Sequence, residues 1–301
     1  MFYWVLNMSI LGSFTGLIVL LVRKIKRLPR FAPYVLWLAP WIRFLIPFGF
    51  VSDFSLMNLI SKLTMKSIVI YEKHPFPELT LTNFVMAAED YFPMTYKTRL
   101  LEQVFTVASI VWMVIAAGAL IAFLYLYWMT KSEIKDAVPI GDNLFLSEKI
   151  LSPAVYGIFR PRIILPKGLL KGDLPYILQH ESIHIRRRDN FWRAVAVATV
   201  CIHWFNPLIW LMLKAFLADM ELSCDEKVLK TYGVEQQKAY ALALLNCQSN
   251  ITMLTSAFGG AKIRVRIEKI LSFKRMTVFS SLCFLILIMI IAVVLLTNTA
   301  M

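Results

Sequence analysis

The stretch LQHESIHIRRRDNFW, residues 178–192, holds two of the four histidines in the chain, His180 and His184, with Glu181 between them. On an α-helix, residues four apart lie on the same face, so both imidazoles can reach one metal ion. Glu181 lies one step round the helix, where it is poorly aimed to bind the metal but can act as general base for the attacking water. The H-E-x-x-H pattern therefore predicts a metal-dependent hydrolase.

The composition predicts a membrane protein. The 301 residues are 58% hydrophobic, above the roughly 45–50% of typical globular chains. The net charge of +13 would lie on polar faces in a nucleic-acid-binding protein, but here many Lys and Arg residues flank apolar runs, as topology signals do. Direct nucleic-acid binding is therefore not expected. The four cysteines include no C-x-x-C pair, so neither a disulfide framework nor a zinc ribbon is expected.

Four apolar segments predict transmembrane helices, for which about 20 residues are needed. The first is followed by the basic run RKIKRLPR rather than preceded by one, so it is predicted to be a retained span and not a signal peptide. The second is the weakest because it contains Pro40, Arg43 and Pro47. The four segments are residues 2–22, 33–50, 105–128 and 277–296.

The positive-inside rule orients these spans in the cell membrane. Residues 23–30 carry five Lys or Arg and no acid, which places them in the cytoplasm and the N-terminus outside. The sequence then predicts a three-span membrane region at 1–128 with an extracellular loop at about 51–103. A cytoplasmic domain follows at 129–275, and a last span with a short tail occupies 276–301.

The cytoplasmic domain has a mixed pattern. Residues 141–168 alternate short β-branched or aromatic runs with Gly, Pro and Asn, which predicts strands and turns, and helical spacing begins at Leu174. Residues 191–216 are apolar enough to enter the membrane, but Asn206-Pro207 interrupts them, so we expect a bent or re-entrant helix rather than a fifth span.

The fold predicted from these features is a mostly α-helical membrane protein. It has about four transmembrane helices and a cytoplasmic α+β, zincin-like metallopeptidase domain. Ile163, Ile164 and Leu165 are interpreted as an edge strand that aligns an extended substrate, with an ordinary core strand as the alternative.

The residues alone leave the third metal ligand open. Catalytic zinc usually takes three protein ligands and a water molecule. In ADMELSCDEKVL, residues 218–229, Glu221 and Asp225 lie on one helix face, so one could bind the metal while the other orients a ligand histidine. Cys224 is a chemically plausible rival, because thiolates bind zinc well. His203, inside a Trp-rich apolar stretch, is predicted to be a packed histidine rather than a ligand.

Taken in order, these motifs resemble the BlaR/MecR-type antirepressor membrane metallopeptidases, which have an H-E-x-x-H helix and a later E-x-x-C-D. The surroundings are also similar, with SPAVYGIFRPRIILPKGL before the first motif and HWFNPLIWL before the second. The resemblance covers roughly residues 30–300. It implies one catalytic Zn²⁺ ion held by His180, His184 and Glu221, with Glu181 as base and Asp225 as the residue that orients a ligand.

The resemblance also implies a function in signalling. An extracellular or membrane signal would activate the protease, directly or through a separate sensor protein, to cleave a cytoplasmic transcriptional repressor. The penicillin-sensing members carry an extracellular domain with a Ser-x-x-Lys nucleophile after the last span. Here the sequence ends at NTAM, residues 298–301, and the only S-x-x-K is SEIK, residues 132–135, on the predicted cytoplasmic side. Direct acylation by a β-lactam is therefore not expected.

Three other functions are compatible with parts of the sequence. A housekeeping membrane zinc protease would share H-E-x-x-H and a later glutamate. A non-catalytic membrane receptor would hold a structural zinc, and Cys224 as a closing ligand would favour it. A transporter is disfavoured by the lack of inverted repeats and of charge pairs within the spans. The sequence predicts no oligomeric state.

Overall fold

The computed structural model describes residues 1–25, 28–46, 99–169, 172–248, 263–273 and 278–297. The predicted extracellular loop at 51–103 lies almost wholly outside these residues. The helices are α1 Phe2–Val22, α2 Phe31–Leu36, α3 Leu38–Leu45, α4 Arg99–Glu133, α5 Leu174–Arg187, α6 Asp189–Ile202, α7 Pro207–Tyr232, α8 Gln237–Gln248, α9 Ile263–Leu271 and α10 Val278–Leu296. The strands are β1 Val138–Gly141, β2 Leu144–Ser147, β3 Ala154–Tyr156 and β4 Arg162–Pro166.

Two helices in the described residues, α1 and α4, are long and apolar enough to cross a membrane. Most apolar side chains of α4 are exposed in the isolated chain, as expected for a helix that faces lipid. The predicted fourth span corresponds to α10, which covers 19 residues. A total of four spans stays a prediction.

The predicted second span differs from a single continuous helix. Its described part forms α2 and α3, which meet at Trp37, and residues 47–50 lie outside the description. Pro33 and Pro40 are each the third residue of their helix, where the missing N–H is not needed within the helix. Each proline is thus accommodated in a first turn, and the segment is divided into two short helices.

Arg43, which weakened the prediction of the second span, is buried but not isolated. Its Nε donates to the carbonyl of Leu295 at 3.0 Å, and its Nη2 donates to that of Thr297 at 2.6 Å. These carbonyls belong to the C-terminal end of α10, where the backbone has free acceptors and a partial negative charge. The guanidinium therefore binds the end of α10 and joins α3 to it.

Six helices of the described residues share one hydrophobic core. Buried side chains of α1, α2, α3, α6, α7 and α10 contribute to it. Gly12 is a point of close approach between α1 and α3, because a Cβ atom built on Gly12 would lie 2.6 Å from the ring of Phe44. No real Cβ contact is that short, so the packing of α1 on α3 requires glycine at this position.

We expect Gly12→Ala to lower the free energy of unfolding by about 1–3 kcal/mol, as overpacking of a filled core does. Gly118→Ala on α4 is the matched control, since a Cβ atom there has nothing within 4 Å and alanine favours the helix. The measurement is the thermal unfolding midpoint of both variants in detergent. Equal midpoints for the two variants would show that α1 and α3 are not packed in this way.

The strands form a four-stranded sheet in the order β1-β2-β4-β3. β4 pairs in parallel with β2 and antiparallel with β3, so it is an internal strand. The prediction that Ile163, Ile164 and Leu165 form an edge strand is therefore wrong. All three side chains are buried, and both backbone edges of the strand are already paired. The edge strand on this side of the sheet is β3.

A break separates α6 from α7, where Asn206-Pro207 interrupts the apolar stretch. The Asn206 side chain accepts a hydrogen bond from the backbone N–H of Leu208, and Pro207 is the first residue of α7. This is a standard helix start, with a side-chain cap and a proline in the first turn. The embedding of residues 191–216 in the membrane stays a prediction.

Candidate metal centre

The H-E-x-x-H residues lie on α5, and His180, Glu181 and His184 are all buried there. The helix ends in a sharp corner, because Arg188 has a left-handed backbone with φ 55° and α6 begins at the next residue. A non-glycine residue in this conformation carries strain, which is often found at functional sites. The corner turns Asp189 back towards the last turn of α5.

His184 is oriented by Asp189. The Nδ1 atom of His184 lies 2.5 Å from Oδ2 of Asp189, and a carboxylate can only accept, so Nδ1 carries the proton. Asp189 is fully buried and also binds the guanidinium of Arg187. Burial alone would raise the pKa of Asp189, but hydrogen bonds from His184 and Arg187 outweigh it and hold the pKa below its ordinary value. Asp189 is therefore an anion that fixes His184 with Nε2 available for a metal.

His180 is oriented through a tyrosine. The hydroxyl of Tyr240 donates to Oδ1 of Asp225 at 2.6 Å, and Nδ1 of His180 lies 2.9 Å from the same hydroxyl. Burial and the Asp225 carboxylate raise the pKa of Tyr240 well above its usual value, so the hydroxyl keeps its proton. Since that proton points to Asp225, the tyrosine oxygen accepts from Nδ1 of His180. Nε2 of His180 is left as the acceptor.

The two Nε2 atoms converge, and Nη2 of Arg266 lies 3.3 Å from Nε2 of His180. Nε2 of His180 and Nε2 of His184 lie 3.1 Å apart, and two lone pairs at this distance need a proton or a metal ion between them. Burial lowers the pKa of His180, but Cys224 and Glu221 raise it more, to about 10. The pocket therefore favours positive charge, and its donor set of two imidazoles with nearby anionic groups fits a divalent transition metal.

Two residues of α7 compete for the place of a third ligand. The Glu221 carboxylate lies 3.5 Å from Nε2 of His180 and 3.8 Å from Nε2 of His184. The Cys224 sulfur forms, with the two histidines, a group whose ligand atoms all lie within 4.8 Å of one another. The thiol also donates to the backbone carbonyl of His180 at 3.4 Å. The described residues thus contain a possible His-His-Cys metal site, with Glu221 beside it.

Arg266 of α9 completes the polar cluster. Its guanidinium donates to both oxygens of Asp225 at 2.8 and 2.7 Å and lies 3.3 Å from Oε2 of Glu221. A buried arginine needs such partners, because an unpaired buried charge is very costly. Asp225 therefore reaches His180 through Tyr240 and also lies close to it directly, with Oδ1 3.4 Å from Nδ1 of His180, and it is itself held by Arg266.

A cavity of about 170 Å³ opens on this cluster. It is lined on one side by Glu181 and the two histidines, and on another by Ala154 and Val155 of the edge strand β3. His203 is elsewhere, and its Nε2 donates to the carbonyl of Phe44 at 2.9 Å, as expected for a packed histidine. The five sequence-predicted residues His180, Glu181, His184, Glu221 and Asp225 thus lie together, whereas Ile163, Ile164 and Leu165 do not line the cavity.

Comparison with known protein families agrees with this site. The family model described as BlaR1 peptidase M56 matches residues 3–270, which includes both motifs and most of the chain. The chain belongs to the M56 peptidase family. The M56 peptidases are metallopeptidases, so the cluster on α5 and α7 is the expected place of the metal in this M56 chain.

Curated relatives of this M56 chain are regulatory proteins of bacteria. It is 32% identical over 120 residues to the regulatory protein BlaR1 of Bacillus licheniformis, which covers 38% of this chain and 20% of the relative. It is 29% identical over 105 residues to the methicillin resistance mecR1 protein of Staphylococcus aureus, covering 34% of this chain and 18% of the relative. These alignments span about a fifth of the length of each relative.

Sequence reasoning missed three residues of the cluster, namely Asp189, Tyr240 and Arg266. For Arg266 a signal existed, because it shares one helix face with Ile263, Ile267 and Ile270, and an arginine on an apolar face must find a buried partner. Asp189 and Tyr240 carried no comparable signal, since neither belongs to a motif with ligand spacing.

Proposed function

We propose that this M56 chain is an integral membrane zinc endopeptidase that cleaves a cytoplasmic transcriptional repressor in response to an extracellular or membrane signal. The observation that supports peptidase chemistry is the arrangement of His180 and His184, whose Nε2 atoms converge beside Glu221, with Glu181 in the same cavity. The names of the relatives, which refer to regulation and to methicillin resistance, support a place in signalling.

In this proposal His180, His184 and Glu221 hold the zinc ion, which supplies Lewis acidity to the scissile carbonyl when bound. Glu221 is favoured over Cys224 because Glu221 lines the cavity, whereas Cys224 is not among its lining residues. Glu181 takes the proton from the attacking water and passes it to the leaving amine. Asp189 and Tyr240 keep the ligand nitrogens aimed at the metal.

Strand β3 is proposed to align the substrate in place of β4. Because β3 is an edge strand that lines the cavity, an extended peptide can pair with its outer edge. Asn190 binds part of this edge, since its Nδ2 donates to the carbonyls of Val155 at 2.8 Å and Gly157 at 3.1 Å. The backbone N–H of Val155 points to the same side as its carbonyl, and it is the donor proposed for the substrate.

The topology is part of the proposal. The N-terminus lies outside the cell and the peptidase domain lies in the cytoplasm, as the charge distribution along the chain indicates. The substrate is then a cytoplasmic protein, and the spans link it to an event at the membrane or outside. The lipid bilayer is an obligatory partner, and a separate sensor protein is a compatible one.

The test compares protein N-termini in cells that produce either the wild type or the Glu181→Gln variant at equal levels. We expect a DNA-binding repressor to be cut at an internal site, which is detected as a new N-terminus, only in wild-type cells and only after the inducing signal. The Glu181→Gln cells control for indirect effects, because they contain the same folded membrane protein. Identical N-termini in the two cell types under every inducer would contradict a signalling protease.

A receptor with a structural metal is the second candidate, and Cys224 is the observation that favours it. A thiolate together with two imidazoles and a carboxylate would close a four-ligand site and leave no position for water. The two functions differ in what Cys224→Ser does to the metal content, which is considered in the Discussion.

A further inference from the structure

Tyr34 of α2 reaches from the N-terminal helices to the candidate metal centre. Its hydroxyl donates to Oδ1 of Asp189 at 2.7 Å. The other oxygen of the same carboxylate, Oδ2, accepts from Nδ1 of His184 at 2.5 Å. A single buried carboxylate therefore joins a residue more than a hundred positions away in the sequence to a proposed metal ligand.

The ring of Tyr34 is fixed on two sides. It stacks on Phe216 of α7 with ring centroids 6.0 Å apart and planes inclined by 8°. The guanidinium of Arg187 lies over the ring, 4.6 Å from its centroid, and Arg187 binds Asp189 as well. The hydroxyl is thus held against Asp189, and any displacement of α2 changes this hydrogen bond.

Because Asp189 is fully buried, water does not readily replace a lost donor. A buried carboxylate that loses one of its donors becomes less favourable as an anion, and the hydrogen bonds that remain must readjust. Two residues still donate to the carboxylate, namely Arg187 through Nε, 3.2 Å from Oδ1, and His184 through Nδ1 on Oδ2, and of these two only His184 is a proposed metal ligand. The direction in which Nε2 of His184 points then depends on whether Tyr34 is in place.

Other contacts join the N-terminal helices to α7 without touching a proposed ligand. Arg23, at the end of α1, donates to both oxygens of Asp219 at 2.9 and 2.8 Å, and Trp37 Nε1 donates to Oδ2 of Asp219 at 2.8 Å. The backbone N–H of Arg30 donates to Glu226. These contacts hold the helices together. In the part of the chain that the structure describes, the hydrogen bond of Tyr34 is the N-terminal contact that reaches a ligand histidine through a single residue.

We propose that Tyr34 is a positioning residue that couples the N-terminal membrane region to His184 through Asp189, so that the position of α2 sets the metal affinity of the site. This inference rests on the proposed function, because His184 must be a metal ligand. Coupling is reciprocal, so metal binding at His184 also stabilises the position of α2.

The first experiment uses Tyr34→Phe in the purified full chain, which keeps the ring contacts and removes only the hydroxyl. Loss of a direct partner of a ligand typically costs 10- to 100-fold in metal affinity, and Tyr34 is one hydrogen bond further out, so we expect a loss of roughly 3- to 10-fold. Zinc affinity is measured by competition with a chromophoric chelator. Tyr232→Phe, which removes an exposed hydroxyl bound to the Pro175 carbonyl, and Arg23→Gln are the controls. Neither residue contacts Asp189 or a proposed ligand, so each variant is expected to stay within about twofold of the wild-type zinc affinity.

A second measurement separates positioning from general destabilisation. In the Asp189→Asn background, Tyr34→Phe should have a much smaller effect on zinc affinity, because the two residues act along one path. Zinc should also slow amide hydrogen exchange at residues 31–36 in the wild type and less so in Tyr34→Phe. Equal losses in the two backgrounds, or unchanged affinity in Tyr34→Phe, would overturn the coupling. Wild-type protein that binds zinc but cleaves nothing would contradict the proposed protease function alone, and wild-type protein without bound zinc would overturn both.

Discussion

Glu181→Gln should abolish peptide cleavage while leaving the metal content unchanged. General base catalysis typically contributes about 10²- to 10⁴-fold to the rate, and glutamine has the shape of glutamate but cannot take the proton from the attacking water. Retention of the metal is expected because Glu181 lies one step round α5 from His180, away from the helix face that His180 and His184 share. Cleavage is measured on the repressor substrate, and the metal content by elemental analysis of the purified protein.

The control for this result is Glu235→Gln, at an exposed position after α7. It removes the same charge outside the cavity and should leave both cleavage and metal content at the wild-type level. A Glu181→Gln variant that cleaves at near wild-type rate would show that Glu181 is not the base, even if zinc is present. A variant that loses its metal would instead make Glu181 a ligand.

The second large effect concerns the ligands themselves. His180→Ala and His184→Ala should each remove most of the zinc, because a site with three protein ligands rarely holds the metal with two. Glu221→Gln should lower the metal content as severely, since the amide has no anionic oxygen. Asp225→Ala should weaken the affinity by roughly 10- to 100-fold, because Tyr240 then loses the carboxylate that orients it towards His180.

Cys224→Ser decides between the two candidate functions. If Glu221 is the third ligand, the thiol only packs and donates to the His180 carbonyl, and serine should leave zinc and cleavage largely intact. If serine strips the metal as completely as His180→Ala does, the site is closed by sulfur and the receptor with a structural zinc is favoured. The unfolding midpoint of each metal-free variant is the control, because removal of Glu221 also takes a partner from Arg266 and Arg193.

The helical positions of the site could be predicted from the sequence because they depend on local spacing. An i, i+4 pair shares a helix face wherever the helix is placed, so His180 with His184, and Glu221 with Asp225, could be grouped before any tertiary contact was known. The break at Asn206-Pro207 was predictable for the same reason, since proline limits its own helix and the residue before it.

The edge strand could not be predicted in this way. Ile163, Ile164 and Leu165 form a short apolar run, and such a run has the same appearance in an internal strand as in an edge strand. β4 is internal because β2 pairs with it in parallel on one side and β3 pairs with it antiparallel on the other. The order of strands in a sheet depends on how the connections between them cross, and the spacing of apolar residues along one strand does not encode this order.

The sequence by itself determined that this protein has long apolar helices, an H-E-x-x-H helix and a second helix with a carboxylate pair, because each is written in the spacing of neighbouring residues. Only the tertiary structure decided what surrounds the two histidines. Tyr240 lies 60 positions from His180 in the chain, and Tyr34 lies 155 positions from Asp189. Contacts over such separations arise when helix faces pack and buried polar atoms must find partners, and the partner each atom finds depends on which faces meet.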